Sequence, residues 1–393
     1  MTEHDAGGHV LCVHSVVTLQ THQRMGIASW MLTEYLQSVL VAHPEVTRVA
    51  LLAKQHNTGL YMRCGFTSHG ASPVEHGEDT WHDLQLHVRG EDRALRQYTV
   101  DAFARKAFEG NPAAVVILPG RGCLPEAVNA ADSRTGYMQK LAIENNLSET
   151  AFVQRCAAKP WQWALRWFTP GTEVTLCGHA TLASAAAMWA NKVVPRDQTR
   201  IQFVTALGPV SVSRSSDLIT LDFPAEPVSA CSPETTQEWV QHVKAATGQD
   251  GFVALGCYFG NMDGIVHVEP AVFDALPPAA AVDFSAIAKI PKRGVIVTAQ
   301  GTGDVQFRSR FWGPNAGVNE DPVTGSAHCL LAPLWEQQLH MHGQSLHAFQ
   351  SSTRGGHLTV QHVSATGRVL ISGAATQTQT TRLSEEIGAQ LTS

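Results

Sequence analysis

Hydrophobic and polar residues follow two different periods along the first part of the chain. Alternation over residues 9–19, 46–53 and 81–88 predicts strands, because every second side chain of a strand faces the same side. Apolar residues recur at helical spacing over 29–41, and a shorter helix is predicted over 58–64. The first part of the chain is therefore expected to be a small α/β unit.

A short charged segment at residues 89–93 predicts a domain boundary. Beyond it, strands are predicted over 97–100, 150–154, 210–223, 294–298 and 305–311, and helices over 138–145, 181–189 and 327–338. We expect an α/β (α+β) fold with a first domain at residues 1–90 and two further units at 97–210 and 211–385.

One short motif occurs twice. The segments Glu173–Ala180 and Glu320–Ala327 each place a Glu five positions before a Gly and an Ala two positions after it, at the start of an Ala/Leu-rich helix. Two interpretations stay open: coincidence between two capped helices, or a duplicated α/β half with one buried helix in each copy.

The two repeated turns suggest a chemistry. A helix N-terminus carries unpaired N–H groups and partial positive charge, so it binds carboxylates. Gly178 and Gly325 allow the backbone to approach a ligand closely. Facing each other, two such turns would bind a small acid and stabilise the negative charge that forms when a neighbouring carbon loses a proton. The polar side chains on these turns are those of His179, Asp321, Thr324 and Ser326.

Glu149 is the candidate base for that reaction. It lies between the helix predicted to end at Asn145 and the strand that begins at Thr150. A partly buried carboxylate there would suit proton transfer near neutral pH. From position alone, a surface-loop Glu is the competing interpretation.

Composition narrows the class of protein. The net charge of -6 and the absence of clustered Lys or Arg exclude a nucleic-acid surface, and no run approaches the length of a membrane span. The N-terminus is not a secretory signal, and the eight cysteines form no C-x-x-C pair. We expect a cytoplasmic protein with free thiols and no metal site.

The chain after about residue 97 resembles the phenazine-biosynthesis (PhzF-like) isomerase and epimerase family up to about residue 380. The motifs that carry the resemblance are Val100–Phe103, Gly110–Val115, Asn146–Val153, Leu165–Pro170, Leu176–Thr181, Asn319–His328, Arg354–Gly356 and Val369–Gly373. The resemblance implies a diaminopimelate-epimerase-like fold, with two pseudo-symmetric halves that each wrap a strand barrel around a central helix. It also implies a small acidic substrate, no organic cofactor and the homodimeric assembly toward which the family tends.

Residue roles follow from the same resemblance. Glu149 would be the acid/base, and the other catalytic residues would be His179, Asp321 and Ser326. Substrate-binding residues would be Gly178, Gly325, Thr324 and Asn111. The epimerases place a cysteine at each helix start; here Cys177 is matched by Thr324, which disfavours a two-thiol racemase.

Several motif residues also have structural interpretations. Asp101 and Asn111 are expected to hold turns or cap helices, Arg354 to bind substrate or brace a carboxylate, and His328 to make a structural hydrogen bond.

Residues 9–88 resemble part of a GNAT-type acetyltransferase of the arylalkylamine class. Gln23, Gly26 and Ala28 would belong to the loop that holds the pyrophosphate of acetyl-CoA, and Tyr61 would protonate the leaving thiolate. The strands that normally precede this part of the fold are missing, so we expect a truncated unit without independent acetyltransferase activity, which is either an interaction appendage or a mis-joined fragment. A non-catalytic acid-binding protein and a working acetyltransferase are the alternatives to the isomerase.

Overall fold

The computed structural model describes residues 8–43, 45–74, 78–88, 94–122, 132–156, 161–195 and 197–392. Within these ranges the chain forms a mixed α/β fold with a four-stranded sheet and an 18-stranded sheet. The small sheet lies within residues 10–87 and the large one within residues 96–382.

The N-terminal unit is one helix-covered sheet. Its elements are β1 (Val10–Cys12), α1 (Ile27–Ala42), β2 (Arg48–Lys54), α2 (Thr58–Arg63), β3 (Thr67–Ala71) and β4 (Trp81–His87). The strand order is β1-β2-β4-β3, with β1 parallel to β2 and the other pairs antiparallel. Leu32, Leu36 and Leu40 of α1 are buried in the core of this unit, as helical spacing predicts.

The strand predicted over residues 9–19 is shorter than expected. The strand covers only Val10–Cys12, and residues 13–19 form no strand, although the N–H of Val13 still donates to the carbonyl of Ala50 in β2. The prediction was wrong for this part because alternation alone does not supply a neighbouring strand to pair with.

The large sheet holds two copies of one strand arrangement. The first contains β5 (Arg96–Ala102), β6 (Asn111–Gly122), α3 (Thr135–Asn145), β7 (Glu149–Cys156), β8 (Gln162–Phe168), β9 (Glu173–Val174), α4 (Gly178–Ala190), β10 (Arg200–Thr205), β11 (Gly208–Ser215) and β12 (Leu218–Pro224). The second contains β13 (Ser229–Ala230), α5 (Pro233–Thr247), β14 (Ala254–Phe259), β15 (Asp263–Val268), α6 (Pro270–Asp274), α7 (Phe284–Ile287), β16 (Gly294–Gln300), β17 (Phe307–Gly313), β18 (Val318–Asp321), α8 (Ala327–Gln338), β19 (Ser345–Gln350), β20 (Gly356–Val363) and β21 (Arg368–Gly373). The chain ends with β22 (Ala375–Arg382) and α9 (Glu385–Thr392).

Strand pairing shows that the two copies are equivalent. The parallel pair β6–β7 corresponds to β15–β16, and the parallel pair β8–β10 corresponds to β17–β19. The antiparallel pair β12–β21 joins the copies. The repeat seen in the two short motifs therefore extends over the order of the strands.

The boundary between the halves differs from the expected one at 210–211, which falls inside β11. Strands β11 and β12 pair with each other and continue the first half, so the change of halves comes after Pro224. The last strand, β22, pairs with β5 and belongs with the first half, although it was assigned to the unit at 211–385. Sequence order could not reveal this return of the chain to its first strand.

One helix lies at the centre of each half. Most of α4 is buried, and its Ala-rich composition suits a helix that is packed on all sides. Most of α8 is buried in the same core. Because both helices are fixed by this core, the turns at their N-termini are held in place.

The N-terminal unit contacts the first half through α1. The indole Nε1 of Trp30 donates a hydrogen bond to the carbonyl of Val193, and the guanidinium of Arg155 lies 3.9 Å from the centre of the Trp30 ring. Arg155 also lies over Trp163 of β8, so the cation is held between two aromatic rings.

Candidate active site

The two glycine turns meet at the centre of the large domain. A Cβ added to Gly178 would lie 3.2 Å from the Cα of Gly325, and one added to Gly325 would lie 3.2 Å from the Cα of Gly178. The starts of α4 and α8 are therefore in backbone contact, in the arrangement that the sequence predicted for Gly178 and Gly325.

A pocket of about 120 Å³ opens beside this contact. The expected catalytic and binding residues that line it are Glu149, Gly178, His179, Asp321, Thr324, Gly325 and Ser326. These residues come from both halves and from positions far apart in the chain. The structure thus brings together every one of them in one place, with Asn111 buried behind them.

Glu149 is the first residue of β7, and its side chain faces His179. The distance from Glu149 Oε2 to His179 Nε2 is 3.0 Å, and both side chains are largely buried. Neither atom has a hydrogen-bond partner with good geometry among the described residues. Both atoms are shielded from bulk water, so Glu149 and His179 form a closely spaced, buried pair beside the pocket.

Burial alone would lower the pKa of His179, but its interactions with the neighbouring Cys177 and Glu149 raise it well above the usual value. We attribute the shift mainly to Glu149, because burial raises the pKa of the Cys177 thiol and keeps it protonated. The raised pKa favours the protonated, positively charged form of His179 next to Glu149.

Asn111 connects the two halves behind the pocket. Its Nδ2 group donates to Asp321 Oδ1 at 2.8 Å and to the carbonyl of Val323 at 3.0 Å, and it lies 3.1 Å from His179 Nδ1. Its Oδ1 accepts a hydrogen bond from Ser148 at 3.3 Å. Asn111 therefore positions His179 and Asp321 from behind; it was expected either to bind substrate or to hold a turn.

Asp321 supplies a second carboxyl group on the opposite half. The hydroxyl of Thr324 donates to its Oδ2 at 2.5 Å. Burial raises the pKa of Asp321 to about 6, with His179 opposing and Glu149 adding to the shift. Asp321 can thus change its protonation state close to neutral pH.

The Cys177 sulfur accepts a hydrogen bond from the N–H of Ala180 and so caps α4. Donor atoms of Glu149, Cys177 and His179 all lie within 4.8 Å of one another, close enough for these residues to be considered as metal ligands. The two nitrogens of His179 already face different groups, since Nδ1 faces Asn111 and Cys177 whereas Nε2 faces Glu149. A single ion bound by all three residues would have to displace these contacts.

Arg293 is a pocket residue that the sequence analysis missed. It precedes β16, lines the pocket, and donates to both carboxylate oxygens of the buried Asp263 and to Ser326 Oγ at 3.0 Å. The Asp263 carboxylate raises the pKa of Arg293 against the effect of burial. Its sequence context, Pro-Lys-Arg-Gly, is typical of a surface turn, so nothing in the sequence indicated that Arg293 lines a pocket.

The motif residues with open interpretations are structural in the fold. Arg354 pairs with Asp101 at 2.9 Å and donates to the carbonyl of Gly110, so it braces a turn rather than the pocket. Asp101 also accepts from the N–H of Phe108. His328 is buried, its Nδ1 lies 2.8 Å from the Thr324 carbonyl, and burial lowers its pKa to about 4.

The residues expected to bind acetyl-CoA lie in the N-terminal unit. Gly26 has a positive φ of 81° and immediately precedes α1, Ala28 is in the first turn of that helix, and Gln23 is exposed. Tyr61 is only 8% exposed, and burial raises the pKa of its hydroxyl. The helix start is accessible, whereas the proposed acid Tyr61 packs into the core of the unit.

Comparison with known proteins places this site in a family context. Residues 100–381 match the family described as phenazine biosynthesis-like protein, PhzC-PhzF. An uncharacterised isomerase of Halalkalibacterium halodurans is 40% identical over 287 residues, which cover 71% of this chain and 94% of the relative. The human phenazine biosynthesis-like domain-containing protein is 36% identical over 293 residues, 71% of this chain and 95% of that protein.

A solved structure agrees with the fold. The crystal structure of a PhzF-family protein from Enterococcus faecalis matches with a TM-score of 0.61 and 36% identity, over 74% of this chain and 99% of that one. The family match begins at residue 100, so the N-terminal unit lies outside it. In the described part of the chain, the helices are all too short or too polar to span a membrane.

Proposed function

The chain belongs to the PhzC-PhzF family of phenazine biosynthesis-like proteins, and we propose that it moves a proton between carbons of a small carboxylated metabolite. Family relatives named as isomerases support a general isomerase or epimerase function. The observation that carries the finer proposal is the Glu149–His179 pair beside the touching helix starts at Gly178 and Gly325.

In this mechanism the helix starts bind the substrate carboxylate through backbone N–H groups. Glu149 removes a proton from a neighbouring carbon, and the N–H groups stabilise the charge that spreads onto the carboxylate. Glu149 then returns the proton to another carbon. His179 lies 3.0 Å from Glu149 and positions its carboxyl group. Asp321, whose pKa is raised to about 6, assists proton transfer from the other half.

The one-base mechanism agrees with the asymmetry of the two turns. The first turn places Cys177 before Gly178, whereas the second places Thr324 before Gly325. The Thr324 hydroxyl is hydrogen-bonded to Asp321, and the Cys177 thiol caps α4. Neither group is arranged as a free base, so the role falls to Glu149.

Incubation with candidate acids in deuterated water tests the proposal. Wild type is expected to incorporate deuterium into its substrate, and Glu149→Gln is expected to lower the rate by about 10²-fold or more, since it removes the base but keeps the shape. Glu144→Gln, a change to an exposed Glu on α3, is the matched control and should keep the wild-type rate. Equal exchange by wild type and Glu149→Gln would remove Glu149 from the mechanism.

The alternatives predict different measurements. A binding protein without chemistry would bind small acids tightly and show no exchange. An acetyltransferase would bind acetyl-CoA through the N-terminal unit, where Gly26 and the start of α1 offer backbone N–H groups. The absence of acetyl-CoA binding by the full chain would exclude an acetyltransferase function.

The cellular location, cofactor requirement and assembly of the enzyme are also proposals. We propose a cytoplasmic homodimeric enzyme that works without a metal or an organic cofactor and has no nucleic-acid or membrane partner. The described cysteines support a reducing compartment, because they are unpaired. Activity that survives exhaustive treatment with chelators is the expected outcome for a metal-free site.

A further inference from the structure

The two halves place different groups at equivalent positions of the pocket. In the first half, Glu149 begins β7 and lies opposite Ala113 of β6. In the second half, Gly294 begins β16 and lies opposite Asp263 of β15. Glu149 and Gly294 are therefore equivalent, and the second half has no carboxylate where the first half has the base.

Arg293 lies directly before Gly294, the position that is equivalent to Glu149. A Cβ on Gly294 would lie 2.2 Å from the Phe311 ring, so the backbone is pressed against Phe311 at this point. The N–H of Arg293 donates to the carbonyl of Met262 at 2.8 Å, which fixes where its side chain begins. The guanidinium carbon then lies 5.6 Å from the centre of the Phe311 ring and forms part of the pocket lining.

The buried Asp263 orients the guanidinium. Asp263 is 1% exposed and accepts from Nε and from one Nη2 hydrogen of Arg293. Nη2 also donates to Ser326 Oγ, which leaves Nη1 without a hydrogen-bond partner among the described residues. A fixed guanidinium with unused donors beside a pocket is a suitable partner for a carboxylate, and such a charge-assisted bond is directional.

We propose that Arg293 determines substrate specificity by binding a second acidic group, so that the enzyme acts on small dicarboxylates. This inference rests on the proposed function, in which the helix starts at Gly178 and Gly325 bind the first carboxylate. Arg293 donates to Ser326, which directly follows Gly325, so the second anchor adjoins the first along the pocket wall, and Glu149 lines the pocket from the other half. A substrate held at both ends presents the carbons between its acidic groups to Glu149.

Binding of succinate and butyrate tests this inference without any reaction. The two acids have the same number of carbons, but only succinate has a second carboxylate. Isothermal titration at constant ionic strength should give about tenfold tighter binding of succinate by wild type, from one added charge-assisted hydrogen bond. Arg293→Gln should reduce the ratio of the two affinities to near one.

Arg308→Gln is the matched control. Arg308 also belongs to the second half, pairs with Asp274 and lies over the ring of Phe273, but it is not part of the pocket lining. It should keep the wild-type ratio. Because Arg293→Gln leaves Asp263 buried without its cation and can unfold the protein, Asp263→Asn/Arg293→Gln removes both charges and serves as the second variant.

A ratio that stays near the wild-type value in Arg293→Gln or in the double variant would overturn the inference. Equal binding of both acids by wild type, together with intact deuterium exchange, would overturn the inference and leave the proposed function standing. Failure of wild type to bind either acid would overturn the inference and would count against the carboxylate site itself. Loss of exchange in Glu149→Gln is measured separately and does not depend on Arg293.

Discussion

At the scale of single residues, Asp321 has a carboxyl group whose protonation depends on its surroundings. Burial raises the pKa of Asp321 to about 6, from a usual value of 3.8. A carboxyl group whose pKa is higher in the folded than in the unfolded protein contributes to stability at pH values below its unfolded pKa. That contribution is lost as the pH rises through the pKa of the group in the folded protein.

Asp321→Asn should therefore change the pH dependence of stability. The free energy of unfolding of wild type, minus that of the variant, should fall by about 2 kcal/mol between pH 4 and pH 7. Urea unfolding at both pH values measures this difference, in which the effects of groups that do not interact with Asp321 cancel. Asp304→Asn, at an exposed position, should give the same difference at both pH values. A constant difference for Asp321→Asn would contradict the burial argument.

The sequence identified the pocket residues that belong to recognisable motifs. Glu149, His179, Asp321 and Ser326 each lie in a motif, and all line the pocket. Arg293 lies in no motif. Its role depends on β15 and β16 being parallel neighbours, which places Asp263 beside it. Sequence spacing contains no sign of that pairing, because Asp263 and Arg293 are separated by α6 and α7.

At the scale of elements, the contact between the starts of α4 and α8 explains why both turns contain glycine. Gly325→Ala would place a Cβ 3.2 Å from the Cα of Gly178, so the two helix starts would have to separate by a few tenths of an ångström. The N–H groups that we propose bind the substrate carboxylate would then diverge. We expect deuterium exchange to fall by about 10-fold to 10²-fold, because small misplacements at a reacting site have large effects on rate.

The stability of Gly325→Ala should change much less, by about 1 kcal/mol in urea unfolding, because only one close contact is altered. Gly136→Ala is the control, since Gly136 lies in α3 and a Cβ there would meet nothing within 4 Å. Its exchange rate should be that of wild type. Unchanged exchange in Gly325→Ala would show that the close approach of the helix starts is not needed.

The sequence predicted well the elements whose type and bounds follow from their own spacing of hydrophobic residues. The Ala-rich helix α4 and the helix α8 were expected within a few residues of their observed bounds. The strand expected over residues 9–19 was wrong beyond Cys12, and the boundary between halves was misplaced. Both errors concern which strands become neighbours. This depends on pairing between distant parts of the chain rather than on the alternation of hydrophobic and polar residues within one strand.

At the scale of the whole molecule, two buried Arg–Glu pairs repeat the same brace in both halves. Arg166 on β8 pairs with Glu173 at 2.6 Å, and Arg310 on β17 pairs with Glu320 at 2.5 Å. Each Glu lies five residues before Gly178 or Gly325. The Glu of the repeated motif therefore ties each turn to the strand behind it, which gives a physical reason for the motif that the sequence alone left open.

The contact between the N-terminal unit and the first half leads to the last prediction. Trp30 of α1 donates to the Val193 carbonyl and lies against Arg155, so it links the N-terminal unit, which has its own hydrophobic core, to the first half. Trp30→Ala should lower the free energy of unfolding of the N-terminal unit by about 2 kcal/mol, from lost burial and cation–π contact. Calorimetry should show an earlier first transition, while the transition of the large domain and the exchange reaction are retained. Tyr35→Ala, on the exposed side of α1, should leave both transitions unchanged. An unchanged profile for Trp30→Ala would mean that this contact adds nothing to the stability of the unit.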